Sequence, residues 1–441
     1  MRNILYFLWF SLCAQMLSAG QAHPQDAGCR LQILTSYPES FYSPFVERFS
    51  KDYGRACVTN KNTIALIHHV GEARRPRPDV IWASSPVAFA ALDAEGLLLR
   101  RPELSIGPAA FGGLAVDDPG GSRFGFALSQ IGVMWKPDGN RLHDPTSIEA
   151  LMASEMRGQV GMTSPARSGT IHLFVETILQ NYGWDKGWAL LSRVGSNLAT
   201  VTARSFGVRD GVVTGRFTVG IGIDFLAKAT LDQQAPVAFA PLSGSAVFPA
   251  SVAIVRDSTD PALAAEFVRF LRSDTGQNLL LRPAIARIPI LPSYWEQSGF
   301  HPMSGSSVRF DAMLAAKRLP VVIALFDEMI TYRYLELATL RTAIERIERH
   351  PRFHADPVLG ALIKDARAKI ETVPVASFMS SADELVNQLS DRGRLDVAAS
   401  HSFGTLRDSW SRDFTSRYAQ ARELVARANA QLNEPVSGLA Q

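Results

Sequence analysis

The chain has 441 residues, with 45 Lys and Arg against 42 Asp and Glu, so its formal net charge is only +3. This near balance argues against nucleic acid as the main partner and against an acidic, disordered chain. The length predicts about two to three domains. After the N-terminal segment, no apolar run is long enough to span a bilayer, so we expect no membrane span in the mature chain.

The N-terminal segment, residues 1–22, has the pattern of a secretory signal peptide. Arg2 precedes a mostly apolar run over residues 4–17, which is short for a bilayer span, and the small residues Ala19 and Ala22 follow it. This pattern predicts export to the periplasm and cleavage near Ala19 or Ala22. An uncleaved anchor is the alternative.

Two cysteines remain after such cleavage, Cys29 and Cys57, and each stands at the start of a predicted strand. An exported protein meets an oxidising compartment, so a disulfide between neighbouring strands is geometrically possible. Two separate thiols are the alternative, because the pairing depends on distances that sequence does not give. Neither the number nor the spacing of the cysteines fits a zinc site, and we expect no metal and no cofactor.

Predicted strands and helices alternate through the first part of the chain, which indicates a parallel sheet with right-handed crossovers. The predicted strands are residues 31–35, 57–59 and 79–83. Helices are predicted over residues 41–53 and from Pro86 to Gly96, whereas residues 64–69 are interpreted as a loop or a frayed helix end.

A second α/β unit follows an irregular bridge over residues 99–118. Its predicted strands are residues 126–130, 131–135, 159–163, 199–201 and 217–223. Helices are predicted from Ser147, Ser168, Trp184 and Val208, and the strands at residues 237–241 and 247–255 lead back out. Later segments are predicted as helices at residues 260–271 and 275–281 and as a loop at residues 281–292.

Residues 164–170, Ser-Pro-Ala-Arg-Ser-Gly-Thr, join a strand to a helix, and we call them the anion corner. Ser168 is the expected N-cap, and Ile171 stands where a capping box would need Glu or Gln. The first N–H groups of the helix therefore suit an anion, and Arg167 adds a cation that can bind in a bidentate manner. The alternative is an ordinary capped helix with a surface arginine.

Other hydroxyls follow predicted strands, at the edge where open parallel sheets bind ligands. Ser36 and Tyr37 follow the first strand, and Ser84 and Ser85 follow the third. Plain helix capping is an equal alternative for each of them. The full set of candidate ligand-binding residues is Ser36, Tyr37, Ser84, Ser85, Ser129, Ser164, Arg167, Ser168, Gly169, Thr170, Arg204, Ser205 and Asp224.

Four segments resemble the type II periplasmic solute-binding proteins, in the branch that includes ferric-iron and phosphonate receptors. They are Thr-Ser-Tyr-Pro at residues 35–38, Pro-Asp-Val-Ile-Trp at residues 78–82 with Ser-Ser-Pro after it, the anion corner, and the helix at residues 260–271. The resemblance covers roughly residues 30–300. Within the branch, the anion corner and residues 202–208 are most similar to members concerned with phosphoglycerate transport.

The resemblance implies an α/β fold with two lobes, a ligand cleft between them, and closure by a hinge motion. It places lobe 1 at residues 29–127 and 248–298 and lobe 2 at residues 128–247. Residues 299–441 are then a C-terminal helical extension, with helices expected from Val321 to Ile347, at residues 360–371 and at residues 406–432. The extension is amphipathic, so it packs on lobe 1 or offers a surface to a partner.

Iron-binding members of this branch use two adjacent tyrosines, and no such pair occurs here, since Ile223, Asp224 and Phe225 stand at that place. Arg167 and Arg204 suit a phosphate and a carboxylate better, although a structural salt bridge is an alternative for Arg204. Asp224 is expected to meet a ligand amino or hydroxyl group, or to hold one of these arginines.

A binding protein is therefore the favoured class. The histidines lack partners at triad or ligand spacing, and neither a nucleophile elbow nor a phosphate loop occurs, so an enzyme is not expected. We expect a small anionic, phosphoglycerate-like solute, and either a membrane permease or a sensor histidine kinase as partner. The alternatives are a transporter receptor for ferric iron or a phosphonate, and an exported interaction protein without a small ligand.

Overall fold

The computed structural model describes residues 28–72, 77–107, 109–111, 113–137, 146–229, 237–301, 310–389 and 397–433, and for residues 397–405 the backbone alone. The predicted signal peptide and most of the linker expected near Gly299 lie outside these residues.

Within lobe 1 and the return to it, most strands and helices match the sequence-based expectations within a few residues. The elements are β1 (Leu31–Thr35), α1 (Glu39–Tyr53), β2 (Ala56–Asn60), α2 (Thr63–Gly71), β3 (Val80–Ala83), α3 (Pro86–Ala94), β4 (Ala110–Phe111), β5 (Leu114–Ala115) and β6 (Phe124–Trp135). Two expectations are corrected. Residues 64–69 belong to helix α2, which the Asn62 side chain caps by accepting from Ala65 N. The two strands expected at residues 126–135 are the single strand β6.

The second unit and the return strands continue the α/β pattern. They are α4 (Ile148–Met152), β7 (Val160–Thr163), α5 (Gly169–Tyr182), α6 (Trp184–Gly195), β8 (Leu198–Thr202), α7 (Phe206–Val213), β9 (Val219–Ile223), α8 (Asp224–Lys228), β10 (Ala238–Pro241), β11 (Val247–Ile254), α9 (Pro261–Arg272), α10 (Asp274–Leu280), β12 (Ile288–Pro289) and α11 (Trp295–Ser298). Single 3₁₀ turns lie at Pro102–Leu104, Ser154–Met156, Pro292–Tyr294 and Ser377–Met379.

One ten-stranded sheet runs through the described chain in the order β2-β1-β3-β11-β6-β9-β7-β8, with β10 and β12 pairing on β6. Strand β6 serves both halves. Its residues up to Gln130 pair with β11, and Ile131 onwards pair with β9. The parallel pairs β1–β2 and β1–β3 lie on one side, and β7–β8 and β7–β9 on the other. This division supports our proposal that lobe 1 comprises residues 29–127 and 248–298, and lobe 2 residues 128–247.

The extension consists of α12 (Ala312–Lys317), α13 (Leu319–Phe326), α14 (Tyr334–Glu348), α15 (Pro357–Glu371), α16 (Asp383–Leu389) and α17 (Val397–Asn433). The continuous helix expected from Val321 to Ile347 is wrong. A π-helical turn at Asp327–Thr331 interrupts it, and Arg333 closes that turn by donating from Nε to the Glu328 carbonyl. Among the described helices, none combines the length and the apolar character that a bilayer span needs.

The extension shares one apolar core with lobe 2. Trp188 of α6 and Phe174 of α5 belong to the same buried cluster as Leu325, Ile363 and Tyr418. Polar contacts reinforce it, since Trp184 Nε1 donates to the Val375 carbonyl at 2.7 Å and Ser192 Oγ to the Ile370 carbonyl at 2.6 Å. The extension therefore packs mainly on lobe 2. From the sequence we had expected it either to pack on lobe 1 or to offer a surface to a partner.

The start of the extension also contacts lobe 1. Leu319 and Ile323 of α13 pack into the lobe 1 cluster that contains Phe89 and Leu66. On the lobe 2 side, Arg318 donates from Nη2 to Glu176 Oε2 at 2.6 Å. Residues 318–323 thus contact both lobes, so a relative rotation of the lobes has to displace this segment or deform its contacts.

The disulfide between Cys29 and Cys57 is present, with a Cα–Cα distance of 5.8 Å. It joins the chain at the start of β1 to β2, its neighbour in the sheet, where parallel pairing sets Gln32 beside Cys57. Of the two alternatives that the sequence left open, the bridge is therefore the correct one.

Candidate functional site

A cleft opens where the carboxyl ends of strands from both halves of the sheet meet. Its walls contain ten of the thirteen candidate residues: Ser36, Tyr37, Ser84, Ser85, Arg167, Ser168, Gly169, Thr170, Arg204 and Ser205. The turns after β1 and β3 supply the first four, and the turns after β7 and β8 supply the others. The fold thus brings together residues that are far apart in sequence, at the strand ends where open parallel sheets bind ligands.

The two arginines of the cleft come from separate turns of lobe 2 and have exposed side chains. Within the described chain, neither guanidinium makes a hydrogen bond or an ion pair. Arg204 lies over the Phe206 ring with its guanidinium carbon 5.9 Å from the ring centroid. The structural salt bridge considered for Arg204 is therefore not formed with any residue that the structure describes.

Hydroxyl groups hold the two arginine turns together. Ser168 Oγ and Ser205 Oγ are 2.7 Å apart, and Ser168 Oγ also accepts from Ile171 N at 3.3 Å. Ser168 is thus the N-cap of α5, as expected. The backbone N–H groups of Gly169 and Thr170 make no hydrogen bond to the described residues, so the positive end of this helix stays available to an anion.

Gly169 permits a close approach between the lobes. A Cβ atom placed on it would lie 2.8 Å from Thr63 Oγ1 and 3.0 Å from Ser85 Cβ, both on lobe 1. Thr63 is buried and β-branched, so it cannot easily move aside. The start of α5 therefore faces the starts of α2 and α3 across the cleft at a distance that only glycine allows.

The serines after β3 differ in what they contact. Ser85 stands at the N-cap position of α3, yet its side chain makes no capping hydrogen bond, which removes plain capping as its role. Ser84 Oγ lies 3.1 Å from Tyr37 Oη, and both residues line the cleft. Burial raises the pKa of Tyr37 above 10.0, so its phenol stays protonated near neutral pH.

Three candidate residues lie beneath the cleft wall instead of in it. Ser129 is fully buried and accepts from Arg287. Ser164 is buried, and its side chain lowers the pKa of Asp327 in the extension, which burial raises. Asp224 is also buried and accepts from Phe225 N at 2.8 Å through Oδ1.

Burial raises the pKa of Asp224 to about 6, and the positive charge of Arg287 opposes this rise. The arginine whose charge affects the Asp224 pKa is Arg287. The sequence analysis had instead offered Arg167 or Arg204 as the arginine that Asp224 holds. Its Oδ2 atom has no hydrogen-bond partner among the described residues.

Sequence reasoning missed several residues of the site. Asn62 and Thr63 line the cleft at the carboxyl end of β2. Ligands of open parallel sheets bind at the carboxyl ends of strands, so these two residues could have been predicted if residues 64–69 had been recognised as a helix. Phe206 and Phe225 line it too. Arg287 lies behind it, and no local pattern points to an arginine in a loop-like segment.

The fold and the cleft define a class, the two-lobe binding proteins that close on a small solute. Residues 40–282, more than half of the chain, match the family described as bacterial extracellular solute-binding protein. The chain belongs to this family and is a solute-binding protein.

Relatives agree with this assignment. The phosphoglycerate transport regulatory protein PgtC of Salmonella typhimurium is 28% identical over 388 residues, which cover 86% of this chain and 93% of that protein. Residues 1–298 make up about two thirds of the chain. A match over 86% of it therefore includes part of the extension.

Solved structures show the same fold. The periplasmic binding protein AfuA from Actinobacillus pleuropneumoniae, with fructose-6-phosphate bound, superposes with a TM-score of 0.58 at 17% identity, covering 68% of this chain and 98% of AfuA. The ferric binding protein from Campylobacter jejuni gives 0.56 at 16% identity, covering 68% and 98%. The family and these two solved structures are binding proteins.

Proposed function

We propose that the cleft binds a small solute carrying phosphate or carboxylate groups, of the phosphoglycerate type, and that the protein works in the periplasm. One observation carries the proposal. Arg167 and Arg204, from separate turns, line one cavity, and neither guanidinium makes an ion pair with a described residue. Two cations at separate positions fit a ligand with two anionic ends.

The surrounding groups suit the same ligand. Guanidinium groups bind phosphate and carboxylate through paired N–H donors, and charge-assisted hydrogen bonds of this kind are the stronger class. The start of α5 adds backbone N–H groups and the positive end of the helix dipole. The hydroxyls of Ser36 and Ser85 can donate to the remaining oxygens.

The names of two relatives support an organic phosphate. One is a phosphoglycerate transport regulatory protein, and another holds fructose-6-phosphate. A ferric role has less support, although ferric binding proteins share the fold. The sequence has no adjacent tyrosine pair, and the described residues contain no group of three or more His, Cys, Asp or Glu placed to hold a metal ion.

We further propose that the protein reports ligand occupancy to a membrane sensor histidine kinase, with delivery to a permease as the second candidate. The extension favours sensing. Part of it falls within the match to a regulatory relative, whereas the two solved binding proteins each cover 68% of the chain. Ser164 and Arg167 of the anion corner also lower the pKa of Asp327 in the extension.

A thermal-shift panel on the chain without residues 1–22 tests the ligand class. A ligand that binds only the folded state raises the melting temperature. We expect 3-phosphoglycerate or phosphoenolpyruvate to raise it, and glycerol and ferric citrate to leave it unchanged. A shift with ferric citrate alone would favour the iron receptor. A lack of response to every phosphorylated or carboxylated compound would favour an interaction protein without a small ligand.

A further inference from the structure

Arg287 is a buried arginine behind the cleft, on the loop between α10 and β12. Its side chain is 1% exposed. The guanidinium lies among four aromatic rings, with centroid distances from 4.5 to 5.7 Å, those of Tyr37, Phe41, Phe126 and Phe225. Arg287 makes no ion pair with a carboxylate of the described residues, although its positive charge lowers the pKa of Asp224.

The polar contacts of Arg287 are hydroxyl groups of candidate site residues. Its Nη1 lies 3.1 Å from Ser84 Oγ, and its Nη2 donates to Ser129 Oγ. Arginine has only donors, so each of these hydroxyl oxygens has to accept. Ser84 keeps its own proton, and the geometry of the contact makes Ser84 Oγ the donor to Tyr37 Oη at 3.1 Å.

Tyr37 Oη accepts from Ser84, and the Arg287 guanidinium carbon lies 5.1 Å from the centroid of the Tyr37 ring. The phenol proton has to be donated elsewhere, and no described residue accepts it. Tyr37 lines the cleft. We propose that Arg287 is a positioning residue that fixes the direction of this hydroxyl chain, so that Tyr37 presents an O–H donor to an ionised phosphate or carboxylate of the ligand.

This inference rests on the proposed function and adds a basis for specificity. A hydroxyl free to rotate accepts as readily as it donates, and it would serve amines and neutral alcohols as well. A chain oriented by a guanidinium offers only a donor, which favours groups that only accept. Aromatic rings around the cation keep water away from the chain, which strengthens each bond in it.

A double-mutant cycle with 3-phosphoglycerate as the probe tests the inference. Tyr37→Phe removes the final donor and keeps the ring, and Arg287→Met removes the guanidinium and keeps most of its length. By the strength of bonds to charged groups, each single variant should bind about tenfold more weakly or worse. The double variant should bind within about threefold of the weaker single variant, because both changes remove one chain.

Folding stability is measured on the same variants by urea unfolding. Should Arg287→Met fail to fold, Arg287→Lys completes the cycle, since it keeps the charge but cannot hold both hydroxyls. Arg282→Gln is the matched control, because Arg282 is an exposed arginine of the same loop. Its affinity should equal that of the wild type.

The results distinguish the positioning role of Arg287 from the proposed ligand binding by the cleft. If the Arg287 substitution loses the same factor in the wild-type protein and in the Tyr37→Phe variant, or loses none, the positioning role is wrong while the cleft remains a binding site. If the wild type does not bind 3-phosphoglycerate at all, the proposed function and this inference fall together. Coupled losses in affinity support the inference, because a residue that only supports folding would not produce them.

Discussion

The hydroxyl groups of Ser168 and Ser205 lie 2.7 Å apart, and this contact joins the two turns that carry Arg167 and Arg204. One turn follows β7 and the other follows β8, which are parallel neighbours in the sheet. The pairing of these strands sets the spacing of the two turns that carry the cations.

Arg167→Ala and Arg204→Ala should each weaken binding of 3-phosphoglycerate by about 1.5–3 kcal/mol, the range for hydrogen bonds to charged groups. Titration calorimetry measures the loss. Arg216→Ala is the control, since Arg216 is exposed and lies beyond the end of α7. An affinity unchanged by the loss of either cleft arginine would remove that residue from the site.

Gly169→Ala should weaken ligand binding without unfolding the protein. The new Cβ would come within 3.0 Å of Thr63 or Ser85, so the lobes could not approach as closely as they do here. Titration calorimetry together with a melting curve separates the two effects. Gly360→Ala is the matched control, because a Cβ there meets no atom within 4 Å and Gly360 lies inside a helix. Equal affinity of Gly169→Ala and the wild type would show that closure tolerates the extra methyl group.

Arg318→Met should destabilise the protein by about 3–5 kcal/mol, because it leaves Glu176 buried without its cation. The pair is 5% and 0% exposed and joins α5 to the extension. Urea unfolding at neutral pH measures this loss. Arg269→Met, which removes an exposed pair with Glu266, should change the stability by less than about 1 kcal/mol. Similar losses in the two variants would contradict the role of the buried pair.

The Asp224 carboxyl should make stability depend on pH in a defined direction. Its pKa is raised from 3.8 to about 6 by burial, so folding favours the protonated form. This contribution is fully present below pH 3.8 and is lost as the pH rises through about 6. Asp224→Asn should therefore be more stable than the wild type at pH 7–8, by about 3 kcal/mol at one unit per 1.36 kcal/mol.

The same comparison at low pH supplies the control for Asp224→Asn. Near pH 4 the wild-type carboxyl is already protonated, so the difference in unfolding free energy should shrink toward zero. Urea unfolding at several pH values gives both results. A difference that is constant across this range would mean that ionisation of Asp224 does not set it.

The sequence predicted most of the sheet and ten of the cleft residues, because period-two and helical patterns are local and the strand-end rule is geometric. Arg287 was not predicted as a site residue, because only the tertiary fold brings its partners Ser84 and Ser129 next to it. Ser164 was predicted to lie in the cleft although it is buried, because the packing of the extension cannot be deduced from local pattern. The π-helical turn was not predicted, because the helical spacing of apolar residues continues across it.

We propose that one cleft, with its two arginines, binds a small phosphorylated or carboxylated anion. Titration calorimetry of the chain without residues 1–22 against 3-phosphoglycerate, for the wild type and for the Arg167→Ala/Arg204→Ala double variant, tests this most directly. We expect one saturable site in the wild type, with a dissociation constant of about 10 μM or tighter, and no saturation of the double variant in the same range. Equal binding by both proteins would show that Arg167 and Arg204 do not bind the anion, and heat of binding from neither would show that 3-phosphoglycerate is not a ligand.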